Sequence, residues 1–197
     1  MRIIGGRAGG IRLSAPKGDS LRPSEGRVKE ALFAALGDLH GLQVLDLFAG
    51  VGSLGLEALS RGAAKVVFLE KLPRHVQYIA GNLANVSKAM NGEHGETEII
   101  CADAADCSTR LTAQAGCFDI ILADPPYDPP PGEFGGKELL MQAEFASWCK
   151  ADCRLILEHD KHSVLPYYPA SSWQLQKEKH YGRRSLCFLQ KMEPNKR

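Results

Sequence analysis

Apolar residues recur along this chain in two alternating rhythms. Short unbroken runs, QVLDLF (43–48), KVVFLE (65–70), ETEIICAD (96–103), FDIILAD (118–124) and CRLILEH (153–159), have the length and composition of buried strands. Between them, apolar positions fall three and four apart. EGRVKEALFAAL after Ser24 puts Val28, Ala31, Leu32 and Ala35 on one helical face. SLGLEALSRGA predicts a helix stopped at Gly62, residues 73–89 one ended by Asn91-Gly92, and KELLMQAEFASWC one more. RIIG and IRLS flank Gly-rich RAGG, which predicts a short hairpin over 2–14. WQLQKEKHYGRRSLCFLQ predicts two strands around Tyr181-Gly182, antiparallel at one edge because no helix joins them.

Strands alternating with helices predict βαβ units, hence an α/β fold with a mostly parallel sheet and helices on both faces. Ligands in such sheets bind outside the carboxyl ends of the strands. The residues that terminate strands are therefore the ones to inspect.

Composition narrows the class. The chain has 197 residues, 44% hydrophobic and 24% charged, as in one globular domain, and no internal repeat. No apolar stretch approaches the ~20 residues of a membrane span, and the N-terminus carries no secretory h-region. Six scattered cysteines without a CxxC pair suit a reducing compartment, so the expected location is the cytoplasm. The net charge of +1 points to no partner. Its distribution does: Arg2, Arg7, Arg12, Lys17, Arg22, Arg27 and Lys29 crowd the first 30 residues against Asp19, Glu25 and Glu30. Such an arm suits a polyanion, or is a solvated basic surface.

The first strand end is DLFAGVGSLG, a GxGxxG of Gly50, Gly52 and Gly55 between strand and helix, with Glu70 closing the next strand. Glycines allow a tight turn and close backbone approach to a ligand, and the acid can accept both ribose hydroxyls. The alternative is a turn that serves packing alone. Asp46, just before the turn, would oppose a pyrophosphate and favour an ammonium or sulfonium group. S-adenosylmethionine has both, has a ribose and has no phosphate. Asp103, just after the third strand, is either an acceptor for the adenine amine or a polar loop residue.

The fourth strand ends in Asp124-Pro125-Pro126-Tyr127. Two prolines stiffen the turn and leave carbonyls to accept. The Asp124 carboxylate and Pro125 carbonyl can hold both hydrogens of an exocyclic amine on a base, aiming its nitrogen at a methyl group. Tyr127 can stack on the base. The bland reading, a Pro-rich surface loop, fits Asp128 to Gly136 better than it fits 124–127; that stretch is also a candidate lid.

Cys149, Cys153, His159 and His162 suggest a zinc string, but the strand between them separates the pairs by about 20 Å, so no metal is expected there. Cys101, Cys107, Cys117 and Cys187 read as core or near-core residues, Trp148 and Trp173 as packing, and His159 and His180 as surface or substrate-facing groups.

Taken together, MRIIGG, RPSEGRVKEALF, VLDLFAGVGSLGLEALSRGA, VVFLEK, DPPY and KHYG resemble, in order and over nearly the whole chain, the RsmD family of class I S-adenosylmethionine-dependent guanine-N2 methyltransferases of small-subunit ribosomal RNA. That resemblance implies a Rossmann-like class I methyltransferase fold: a seven-stranded, mostly parallel sheet with an antiparallel edge strand. Residues 1–23 would be a basic hairpin arm and 24–197 the catalytic domain. It implies S-adenosylmethionine as cofactor, met by Asp46, Phe48, Gly50, Gly52, Glu70, Lys71, Asp103, Ala104 and Asp124. Asp124, Pro125 and Tyr127 would be catalytic. Arg2, Arg7, Arg12, Arg22, Arg27 and Pro126 would meet RNA, as naked rRNA or a partly assembled small subunit, with the enzyme a monomer. Three positions depart from the family pattern: Gly26 before RV, Arg184 where a Thr is frequent, and Lys150-Ala151-Asp152 where Pro-Gly-Gly is usual. Three rivals remain open: an N6-adenine methyltransferase, an NAD-dependent oxidoreductase, and a non-catalytic ribosome-assembly factor.

Overall fold

The computed structural model describes residues 1–16, 23–127 and 133–192. Lys17, Asp19, Arg22 and most of the expected lid lie outside them. Seven strands form a mixed sheet, and the chain divides into two compact units, Met1–Asp103 and Ala104–Arg197. No helix among the described residues is long and apolar enough to cross a membrane.

The first unit holds α1 (Pro23–Leu36), β1 (Gln43–Asp46), α2 (Ser53–Ser60), β2 (Lys65–Glu70), α3 (Pro73–Ala89) and β3 (Glu96–Cys101). Its strands run parallel in the order β3-β2-β1, with Asp46 opposite Phe68 and Glu70 opposite Cys101. Val66, Val67, Phe68 and Leu69 are all buried, which explains the unbroken apolar run of a strand covered on both faces. Helix α3 opens on Pro73, whose missing N–H costs nothing at a first turn, and buries Ile79, Asn82 and Val86 at helical spacing. In α1 the buried residues are Val28, Lys29, Leu32, Phe33 and Leu36; Ala35 faces solvent. The buried face is therefore rotated from the expected one toward Lys29 and Phe33, and the Arg61 guanidinium lies 5.0 Å over the Phe33 ring.

The N-terminal residues form a minimal hairpin with a single bridge, Arg2 to Arg12. It is fastened to α2. Both oxygens of the fully buried Glu57 accept from backbone, Oε2 from Ile4 N at 2.7 Å and Oε1 from Gly5 N at 2.8 Å. Ser60 Oγ accepts from Ala8 N at 2.9 Å and donates to Gly5 O at 2.7 Å. Lys29 corrects the reading of the basic arm. It is buried, 3.2 Å from Glu57 Oε2, and donates to Arg2 O at 2.7 Å, so its charge serves the fold.

The second unit holds α4 (Cys107–Arg110), β4 (Ile120–Ala123), α5 (Gly136–Met141), α6 (Ala143–Trp148), β5 (Arg154–Asp160), β6 (Trp173–Tyr181) and β7 (Arg184–Lys191). Strands β4 and β5 are parallel, β7 is antiparallel to β5, and β6 pairs antiparallel with β7 at the sheet's edge. The single helix expected over KELLMQAEFASWC is two. Gln142 adopts an extended conformation (ψ 101°), and its side chain donates to Ala105 O at 2.8 Å, which turns the chain between α5 and α6. Trp148 and Trp173 pack with Phe118 and Phe145, ring centroids 5.7–6.1 Å apart. Cys101 is exposed, against the expectation of a core residue, because β3 is an edge strand and Cys101 is its last residue.

Candidate active site

In the first unit the glycine turn is built around two carboxylates. Asp46 ends β1 almost fully buried, and its Oδ2 accepts from Gly55 N at 2.8 Å in the first turn of α2. Glu70 ends β2; its Oε2 accepts from Gly50 N at 2.7 Å and its Oε1 from Leu72 N at 2.8 Å. Each acid thus pins one glycine of the turn. Gly52 sits at φ 85°, a left-handed conformation that side chains resist. At Gly55 a Cβ would come within 2.3 Å of the Phe68 ring, so the helix can lie against β2 only without a side chain there.

Burial, with Glu70 adding to it against the Gly55 hydrogen bond, pushes the Asp46 carboxyl up to about 7. A cation nearby would draw that proton off; an anion would not. Each carboxylate retains acceptor capacity, since an ionised carboxyl offers about four lone-pair sites. The donor set therefore fits a cationic ligand carrying hydroxyls. The linkage gives a prediction for the ligand-free protein. Asp46 holds its proton to higher pH folded than unfolded, so the folded state binds more protons between the usual carboxyl value of 3.8 and about 7. Stability from this group falls as pH rises through that window, by up to about 4 kcal/mol. Asp46→Asn, which keeps an acceptor for Gly55, should flatten that fall in urea titrations at pH 5 and pH 8. Parallel curves for the two proteins would show that Asp46 ionises normally.

Phe48, in the glycine turn, is half-buried, and Ala104, the first residue of the second unit, is buried. Lys71 Nζ and Asp103 Oδ2 form an ion pair at 2.8 Å. Ala102 N donates to Glu70 O at 3.0 Å, which holds the segment leading to Asp103 against the end of β2.

In the second unit, Asp124 is exposed, Pro125 buried, Pro126 exposed and Tyr127 half-buried. Pro125, Pro126 and Tyr127 line a cleft of about 330 Å³ with Lys137, Glu158 and Ser163 among its other walls. The Tyr127 hydroxyl donates to Glu158 Oε1, and the same oxygen is paired with Arg184 Nη1 at 3.0 Å. Burial, then the bond to Glu158, pushes the Tyr127 phenol well above its usual range, so it stays a donor. Sequence reasoning missed Glu158 as a site residue, although it closes the apolar run of β5 by the same strand-end rule that selected Asp46 and Glu70. Arg184 stood out only as a departure from pattern; here it supplies the counter-charge that lets Glu158 be buried.

Of the expected RNA-facing arginines, Arg2, Arg12 and Arg27 are exposed, Arg7 is paired with Glu93 at 2.7 Å, and Arg22 lies outside the described residues. His159 is buried, not a surface group: its Nε2 lies 3.1 Å from Cys187 Sγ on β7 and 3.2 Å from Glu178 Oε1 on β6.

The family model described as Conserved hypothetical protein 95 matches residues 1–190. The chain belongs to that family. Two curated relatives of this family member are the "Ribosomal RNA small subunit methyltransferase D" of Escherichia coli and the "Putative rRNA methyltransferase YlbH" of Bacillus subtilis. The first is 34% identical over 184 residues, 92% of this chain and 85% of that protein. The second is 32% identical over 167 residues, 84% and 86%. Among solved structures, the "Putative methyltransferase yhhF" of Escherichia coli superimposes with a TM-score of 0.77 at 33% identity, over 98% of this chain and 99% of that one. The fold of this family member is the Rossmann-like class I methyltransferase fold.

Proposed function

We propose that this protein transfers a methyl group from S-adenosylmethionine to the exocyclic N2 amine of a guanine in small-subunit ribosomal RNA. The observation that carries the reading is the cleft at the end of β4, where Tyr127 is held by Glu158 beside the Asp124-Pro125 turn. The family relationship supports it, through relatives named as rRNA methyltransferases.

The cofactor supplies an electrophilic methyl group on a sulfonium. In this reading Asp46, Gly50 and Gly52 bind its methionine part, Glu70 its ribose and Asp103 its adenine, with Phe48, Lys71 and Ala104 around them. Asp124 and the Pro125 carbonyl accept the two hydrogens of the target amine. That fixes the nitrogen lone pair along the line of attack and stabilises the positive charge that grows on nitrogen. Tyr127 stacks on the base, which must leave its own stack to arrive. Arg2, Arg7, Arg12, Arg22 and Arg27, in the arm (1–23) and at the start of the catalytic domain (24–197), meet phosphates, so binding weakens as salt rises.

Tyr127 separates two contributions. Tyr127→Ala should lose about 1–3 kcal/mol of stacking, read as lower kcat/KM on rRNA. Tyr127→Phe keeps the ring and should lose far less; equal losses would assign the effect to the hydroxyl. The reading as a whole is tested by labelled methyl transfer to small-subunit particles from cells lacking the enzyme, followed by digestion to nucleosides. N2-methylguanosine is the expected product. N6-methyladenosine would replace guanine by adenine, and absence of transfer together with absence of S-adenosylmethionine binding would favour an assembly factor.

A further inference from the structure

Three neighbouring strands of the second unit gather a different set of groups. His159 on β5 is the register partner of Ser185 on β7, and Cys187, two residues on, is the partner of Glu178 on β6. Directly paired residues share a sheet face, and so do residues two apart. His159, Cys187 and Glu178 therefore converge on one face, opposite to that of Glu158 and Arg184. The convergence depends on an irregularity. The β6 register slips between Leu175 and Lys177, a one-residue bulge. Without it, Glu178 would alternate to the face away from Leu175 and Leu189; the bulge re-aims it onto that face, beside Cys187.

We propose that His159, Cys187 and Glu178 form a zinc(II) site. Their ligand atoms all lie within 4.8 Å of one another. His159 Nδ1 lies 2.8 Å from Asp160 O and can contact that carbonyl only as a donor, which fixes the ring and turns Nε2 toward the other two groups. Nε2 is 3.1 Å from Cys187 Sγ and 3.2 Å from Glu178 Oε1. An imidazole lone pair facing a carboxylate oxygen at that distance is repulsive unless a proton or a cation lies between them. Ligands about 2.0–2.3 Å from a tetrahedral zinc stand roughly 3.3–3.8 Å apart, so Nε2 need draw back from each of its two neighbours by only a few tenths of an ångström, while Cys187 Sγ and Glu178 Oε1 already lie within 4.8 Å of each other. One nitrogen, one sulfur and one oxygen donor match the borderline softness of zinc. The Tyr167 hydroxyl, 2.9 Å from Cys187 Sγ, is placed to donate to a thiolate. His159 and Cys187 are buried, while Glu178 is part-exposed and opens the cluster to solvent. Burial pushes the Cys187 thiol up to about 12, so zinc binding would release a proton.

The competing account is a histidinium–glutamate ion pair with a protonated thiol beside it, and cobalt(II) separates the two. Untagged protein, stripped of metal by a chelator, is titrated with cobalt(II) and, in competition with a chromogenic chelator, with zinc(II). One cobalt per chain with a thiolate-to-metal charge-transfer absorption is expected. Cys187→Ser should abolish that absorption, and Glu178→Gln should weaken zinc by more than the ~10–100-fold typical of an outer partner. Cys101→Ser should change neither. Zinc should also raise the melting temperature of the parent protein and not of Glu178→Gln, which decides the matter if Cys187→Ser does not fold. Cobalt binding without thiolate absorption, or equal zinc retention by parent and Glu178→Gln, would overturn the site.

Discussion

Asp124→Ala should bind S-adenosylmethionine almost as the parent does and turn over on the order of 10²–10³-fold more slowly, the loss typical of one preorganised polar group removed from a charge-developing centre. The carboxylate is exposed at the end of β4, with Ala123 and Pro125 buried on either side. Deleting it creates no cavity, so the melting temperature should hardly move. On the proposed reading, what disappears is an acceptor for the amine, and with it the alignment of the nitrogen. Calorimetry for the cofactor and single-turnover methylation for the chemistry separate these effects. Unchanged turnover would remove Asp124 from the mechanism, whereas lost cofactor binding would place its role with the donor.

The largest effect on stability should come from a residue far from that chemistry in the sequence. Glu57 is fully buried and holds Ile4 N, Gly5 N, Lys29 Nζ and Arg61 Nη2 at 2.7–3.2 Å. Glu57→Ala strands two amides and leaves the buried Lys29 without its counter-charge. Breaking a buried pair in this way costs about 3–5 kcal/mol, which in a chain of this size lowers the melting temperature by roughly 10 °C. Glu93→Ala is the contrast. It breaks an ion pair whose side chains are 53% and 72% exposed, and such pairs contribute at most about 1 kcal/mol. Similar melting temperatures for the two variants would show that the hairpin is held by apolar contacts alone.

Much of this was legible beforehand, and the reasons differ by element. The strand KVVFLE read cleanly because burial on both faces leaves an unbroken apolar run, and its last residue marked a carboxylate that ties down the glycine turn. The helix over 73–89 was equally plain, opening on Pro73 and closing before Asn91-Gly92. Partnership across the sheet was not legible. Nothing in the order of residues says that Lys29 would seek Glu57, or that Tyr127 would find Glu158 with Arg184 behind it. The zinc string considered from spacing took His159 with its chain neighbours. Its actual neighbours, Glu178 and Cys187, come from register and a bulge, which a linear pattern does not encode. The break at Gln142 was hidden for a similar reason: helical periodicity continues through it, and the contact that bends the chain is to Ala105.

The slip in β6 has a consequence for how copies of this chain treat one another. A long, flat outer strand is a template for pairing with a stranger's backbone. Here the outermost strand carries a bulge between Leu175 and Lys177, the kind of irregularity that bends a strand, with Gln174, Gln176 and Lys177 exposed around it. Removing Gln176 would straighten that border into a regular ribbon, and the protein would gain a surface on which self-association and fibril growth can begin.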